Sequence, residues 1–218
     1  MTSAVQVVQL YSGSLARGAV VTVEVTAAAT AVALGIGVIG AAARLAPLRP
    51  LVALATAYVE TVRGTPQILQ LFVIYFGLTQ FHIILHPMQA AFIWLALYGG
   101  AYAVEIFRAG IAGVAGGQRE AARALGLSAG STFRRVVLPQ AVAVVLPALT
   151  SFLVLQLKAS SLIYTIGVPD IMYRMRLGVN TIAQPLVLYG MAAVAYILLN
   201  WPLTRLGAML ERRVALYR

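Results

Sequence analysis

The sequence holds no cysteine, a single lysine, a single aspartate and two histidines among 218 residues, and only 10% of its side chains are charged. Without cysteine there is no disulfide framework and no thiolate metal site, and nothing speaks for a redox compartment. The scarcity of charge excludes an ordinary soluble domain, in which about a quarter of residues are charged and about half are apolar. Here 61% are apolar and the mean hydropathy is +0.89. No G-x-x-x-x-G-K-[ST] run is present to cradle nucleotide phosphates, so the chain has no ATP site of its own and no resident cofactor is expected. The sole aspartate, Asp170, and the two histidines, His82 and His86, fall in different loops, so no Ser/His/Asp constellation forms and the chain is not expected to be an enzyme. His82 and His86 are four apart but lack acidic companions, and they read as solvated or interfacial groups rather than metal ligands.

What is abundant is oil, interrupted at intervals by arginine. The net charge is +10, but the basic residues are dispersed between apolar stretches rather than gathered in a patch with interleaved aromatics, which argues against nucleic acid and for membrane topology. A bilayer core needs about 20 apolar helical residues. Five windows qualify: 18–43, 51–80 with a break at Arg63-Gly64-Thr65-Pro66, 89–112, 141–166, and 185–208. They lack the alternation of barrel strands, so the expected fold class is an all-α membrane protein with five transmembrane helices, the whole of 1–218 forming one domain. Loop arginines decide the sides. One side receives Arg44, Arg49, Arg119, Arg123, Arg134, Arg135, Arg205, Arg212, Arg213 and Arg218; the other receives Arg17, Arg174 and Arg176. The N-terminus is therefore expected outside and the C-terminus in the cytoplasm of a multi-pass inner-membrane protein. The first window is too long and too far in to read as a cleaved signal peptide.

The loop over 117–139 is polar yet structured. Residues 118–125 are strong helix formers with Glu120 and Arg123 three apart, and Gly126 suits the left-handed position after a helix end. Ser128 can cap a second short helix, which Pro139 closes or kinks. Glu120 pairs either with a basic group on a partner or with Arg123.

Ionisable residues within spans cost at least ~2.5 kcal/mol and normally face an interior, a partner or water. Glu60 with Arg63, and Glu105 with Arg108, are three apart and can neutralise each other. Alternatively Arg63-Gly64-Thr65-Pro66 forms a gate or hinge, since broken helices in transporters commonly line the pathway. Lys158 has no acid within a turn. Ser151, Lys158, Ser161 and Thr165 share one side of a helix, a stripe that meets either a substrate carboxylate or a partner subunit's polar groups.

The loop carries the pattern Glu120-Ala121-Ala122, three residues, Gly126, nine residues, Val136, one residue, Leu138-Pro139. It resembles the signature loop of binding-protein-dependent ABC importer permeases. Tyr58-Val59-Glu60, Arg63-Gly64-Thr65-Pro66, Gln70-Leu71-Phe72, Ala101-Tyr102, Glu105-Ile106-Phe107-Arg108, Leu157-Lys158 and Ser161-Leu162 extend the resemblance, from Gly18 to Arg213, to the polar amino acid branch. The resemblance implies a type I importer permease fold, a permease dimer, two ATPase subunits that bind the ATP, an extracytoplasmic solute-binding protein and an amino acid substrate. It makes the Glu120–Gly126 helix, with Arg123, the coupling helix. Where many relatives carry polar residues, this chain has Tyr98, Ser151-Phe152 and Ala159-Ser160-Ser161 around the midplane pathway. Those departures point to a heterodimer whose other subunit supplies most substrate contacts, or to a less polar substrate. The competing readings are a permease for another small solute and a membrane scaffold that translocates nothing.

Overall fold

The computed structural model describes residues 3–215, which leaves Arg218 of the arginine tally outside the described residues. Among the described residues every regular element is a helix. α1 (Ala4–Leu45) is 42 residues long. It starts at a capping box, in which Ser3 Oγ accepts from the Gln6 N–H and Gln6 Oε1 accepts from the Ser3 N–H. It contains no proline and stops at Ala46, ahead of Pro47. The helix thus begins well before the expected window and takes Arg17 into its body, because nothing between Ser3 and Gly18 breaks it.

The second apolar stretch is divided into α2 (Arg49–Gly64) and α3 (Gln67–Tyr75), followed by a 3-10 turn (Gly77–Phe81). The division falls at Thr65-Pro66, where proline has no N–H to donate and holds Thr65 extended. Gln70 spans the break: its Nε2 donates to the carbonyls of Val62 (2.7 Å) and Thr65 (3.1 Å) and to Thr65 Oγ1 (2.8 Å). α4 (Pro87–Ala112) is the central element. His86 caps its start, and His82 sits in a left-handed turn just before it.

α5 (Gly116–Ala124) and α6 (Ala129–Thr132) fill the long loop. Here the expectation of two separate short helices is corrected. α6 runs through a π turn (Phe133–Val137) directly into α7 (Leu138–Ala159), so that Ala129–Ile166 is one continuous 38-residue rod with a 3-10 end. Pro139 does not close it. The wide turn, with the Leu138 N–H reaching back to the Phe133 carbonyl, lets the proline ring enter without breaking the rod. α8 (Ile171–Ile182), not expected as an element, precedes α9 (Pro185–Ala215). Among the described residues four helices are long and apolar enough to cross a membrane, and a shorter apolar stretch, Gln67–Phe81, follows the break after α2.

Close packing rests on small residues, as expected where helices gain little from burying oil in oil. α1 and α4 run parallel with Ala33 beside Gly99, Gly37 against Ala103, and Gly40 against Val104. The missing side chain of Gly99 also admits Gln156 of α7, whose Nε2 donates to the Leu95 carbonyl at 3.1 Å. A second cluster of Val7, Ile171, Met175 and Leu188 fastens α8 and the start of α9 to the first part of α1.

Candidate coupling surface and translocation pathway

α5 is built to be held from one side and seen from the other. Ala122 is buried, while Glu120, Ala121 and Arg123 are exposed and Leu125 is 83% exposed. The helix ends in a Schellman motif: the Gly126 N–H reaches the Arg123 carbonyl at 2.9 Å and the Leu127 N–H reaches that of Ala122 at 3.1 Å. Gly126 stands at φ 79°, a conformation a side chain strains. Two residues later Ser128 Oγ accepts from the Ser131 N–H and starts α6. Arg119 Nη2 donates to the Ile111 carbonyl at 2.6 Å, tying α5 to the end of α4, and Val114 packs with Val137 and Ala141 of the α7 rod. Leu138 is 41% exposed and Pro139 is exposed beside it. Among the described residues Glu120 makes no ion pair with Arg123.

The intramembrane charges sort differently from the spacing rule. Glu105 does pair with Arg108, at 2.8 Å, but also takes Arg44 from α1. Glu60 and Arg63 do not pair, a correction to the expected i,i+3 bridge. The Arg63 guanidinium instead lies over the Tyr102 ring, 5.4 Å from its centroid. Arg44, Val59, Glu60, Arg63, Gly64, Tyr102 and Glu105 line one cavity of about 480 Å³ between α1, α2 and α4. Pro66 follows immediately at the break.

The proposed midplane residues are not gathered. Tyr98 is buried, accepts from Gln67 Nε2 at 2.6 Å, stacks with Trp94 (5.6 Å) and lies tilted against Tyr102 (5.0 Å). It therefore fastens α3 to α4 inside the packed interior. Ser151 and Lys158 face outward from α7, and Lys158 has no ion pair among the described residues. Ser161 and Thr165 turn their hydroxyls onto the carbonyls of Lys158 and Leu162, sealing the 3-10 end of the rod. Among the described residues no cluster of three or more His, Cys, Asp or Glu side chains is placed to hold a metal. Sequence reasoning missed three contacts: Arg44 with Glu105, the Gln70 bridge, and the buried Asp170 carboxylate that accepts from the Tyr173 N–H. Gln70 stood four residues after Pro66, the spacing at which a side chain reaches carbonyls freed by a broken turn.

An interrupted span, charges drawn together at one end of the bundle, and a braced but uncovered helix on a short link are the features of a polytopic helical membrane protein. The chain belongs to the family of binding-protein-dependent transport system inner membrane components, matched over residues 33–216. It is similar to the L-cystine transport system permease protein TcyB of Bacillus subtilis (strain 168), with 36% identity over 84% of this chain and 78% of the relative. The arginine transport system permease protein ArtQ of the same organism is 32% identical over 91% of each chain. A crystal structure of an amino acid ABC transporter with histidines superposes with a TM-score of 0.92 at 31% identity, covering 98% of this chain and 99% of that one.

Proposed function

We propose that this chain is the translocating subunit of an ATP-driven amino acid importer of the cytoplasmic membrane. A separate ABC ATPase grips α5 on the cytoplasmic side, and an extracytoplasmic binding protein delivers substrate to the other face. The N-terminus lies outside and the C-terminus inside, following the arginine distribution. The amino acid assignment is supported by relatives named for L-cystine and arginine transport and by the similarity to an amino acid ABC transporter. The observation that carries the mechanism is α5 itself: a helix uncovered along Glu120, Arg123 and Leu125, yet braced through Arg119 to α4 and through Gly126–Ser128 to the α7 rod. Packed elements shift as units, so a displacement of α5 by the motor rotates the rod rather than deforming the loop. Site roles follow: Glu120, Ala121, Ala122, Arg123, Gly126, Leu138 and Pro139 transmit force, Gly64 and Pro66 hinge the broken span, and Ser151, Lys158 and Ser161 face a second permease subunit across the pathway.

Proteoliposomes containing the chain, a second permease subunit, the ATPase and the binding protein test this. Glu120→Lys or Gly126→Pro leaves ATP hydrolysis running while substrate uptake falls about tenfold or more, the scale of a lost coupling free energy of ~1–3 kcal/mol. Uptake equal to wild type in both variants would refute the assignment.

A further inference from the structure

The cavity between α1, α2 and α4 differs in kind from the other large hollows. Those are lined mainly by Val, Leu, Ile, Phe and Ala, whereas this one presents Arg44, Glu60, Arg63, Tyr102 and Glu105. Its charges do not cancel pairwise. Glu105 is engaged by Arg44 of α1 and Arg108 of its own helix, which accounts for both of its oxygens. What remains is one acid, Glu60, and one guanidinium, Arg63, neither in an ion pair among the described residues although both lie on one face of α2. Arg63 is positioned by Tyr102, which leaves the edge of its fork free.

A free guanidinium fork and a free carboxylate three residues apart on a helix are ~5–6 Å from one another at their Cβ atoms. Both head groups can therefore be reached from one cavity by a molecule bearing a carboxylate and an ammonium on one carbon. From this we infer that the cavity is a binding site for the zwitterionic head of a free amino acid, with Arg63 taking the α-carboxylate and Glu60 the α-ammonium. About 480 Å³ falls within the ~300–1,000 Å³ typical of small-molecule sites. The side chain of the ligand lies toward Val59 and Gly64, where no charge stands. The cavity takes Arg44 from the C-terminal end of α1, which the topology proposed above puts on the cytoplasmic side, so it samples the cytosolic pool. It adjoins Thr65-Pro66, so occupancy biases the angle between α2 and α3. The site belongs to a single subunit and is separate from Ser151 and Lys158. It serves as an exit-side or product-sensing site, and the inference rests on the amino acid reading above.

The experiment is equilibrium dialysis of the nanodisc-embedded chain against an equimolar mixture of the twenty standard amino acids, read by mass spectrometry. Parallel dialyses use their N-acetylated and carboxamide derivatives, which lack the ammonium or the carboxylate. Wild type retains one or more amino acids and neither derivative set. Glu60→Gln and Arg63→Gln each weaken retention roughly tenfold or more, the scale of a lost charge-assisted hydrogen bond, and Arg63→Lys restores part of it. Unaltered elution and thermal midpoint establish that the variants are folded. Retention unchanged in both Gln variants overturns the inference. So does an absence of retention by wild type when the assembled transporter still imports an amino acid. If the assembled transporter imports none of the twenty, the amino acid reading itself has failed.

Discussion

Asp170 does two things with one carboxylate. Its Oδ1 accepts from the Tyr173 N–H at 2.8 Å and starts α8, while Oδ2 is buried without a partner among the described residues. Gly18 makes that burial possible, since a Cβ there would stand 2.8 Å from the Asp170 carbonyl oxygen. Next to it Thr22 Oγ1 accepts from the Ile171 N–H at 3.3 Å, so α1 and α8 meet backbone to side chain. Burial pushes the Asp170 carboxyl up from 3.8 to about 7, against the opposing pull of the backbone N–H groups of Tyr173 and Met172. The folded state therefore holds this proton more tightly than the unfolded chain. Below pH ~4 both states are protonated and nothing is lost; between ~4 and ~7 stability falls as pH rises, and above ~7 the penalty is complete, at most about 4 kcal/mol at 1.36 kcal/mol per pH unit. Hydrogen exchange of the α8 amides, corrected for intrinsic rates, should quicken between pH 5 and pH 8. In Asp170→Asn, which keeps the cap oxygen, that acceleration should vanish; a wild-type protection that stays flat across the range would contradict the burial argument.

Among the elements, the interrupted span is the one whose local chemistry most constrains what it can do. A proline break inside a bilayer strands carbonyls that lipid cannot satisfy. Gln70 reaches back over the gap to Val62 and Thr65, while Thr65 Oγ1 donates to the Thr61 carbonyl at 2.8 Å. Replacing the amide by a side chain of like size, Gln70→Leu, bares those carbonyls at a cost of about 1–3 kcal/mol each. The thermal midpoint in nanodiscs should drop by several degrees, and substrate uptake should fall with it. A variant as stable as wild type would mean that water or a neighbouring subunit already serves the break. The α7 rod is the contrary case. Its π turn accommodates Pro139 without a break and the helix continues past Pro147, whereas α2 and α3 are parted at Thr65-Pro66.

At the level of the whole molecule, much of the plan was legible because it is written in local terms. Pro66 marks the broken span, Gly126 and Ser128 mark the end of α5 and the start of α6, and twenty-residue apolar windows mark the crossings. What escaped depends on distant partners. Arg44 and Glu105 are separated by 61 positions, and no i,i+3 rule brings them together. Glu60 and Arg63 satisfy that rule and do not pair, because Tyr102 from α4 offers Arg63 another seat. Twelve-residue α8, with Arg174 and Arg176, fails every span criterion and exists by packing Ile171 and Met175 on α1. Lys158 still faces outward from the last turn of α7 without an anion among the described residues. Assembly with a second, non-identical permease subunit would supply what it lacks. Co-expression with only the ATPase and binding protein should therefore give no uptake, and adding the second permease should restore it; uptake without that addition would count against a heterodimer. Finally, α1 is about 63 Å long at 1.5 Å per residue, twice the ~30 Å of hydrocarbon it traverses, and unbroken by proline. Met175 and Leu188 clasp it near one tip and Glu105 holds Arg44 near the other. On the topology proposed above, a lean imposed on this tie bar near Val7 arrives at its other end as a sideways swing of Arg44, so the two faces of the membrane share one member.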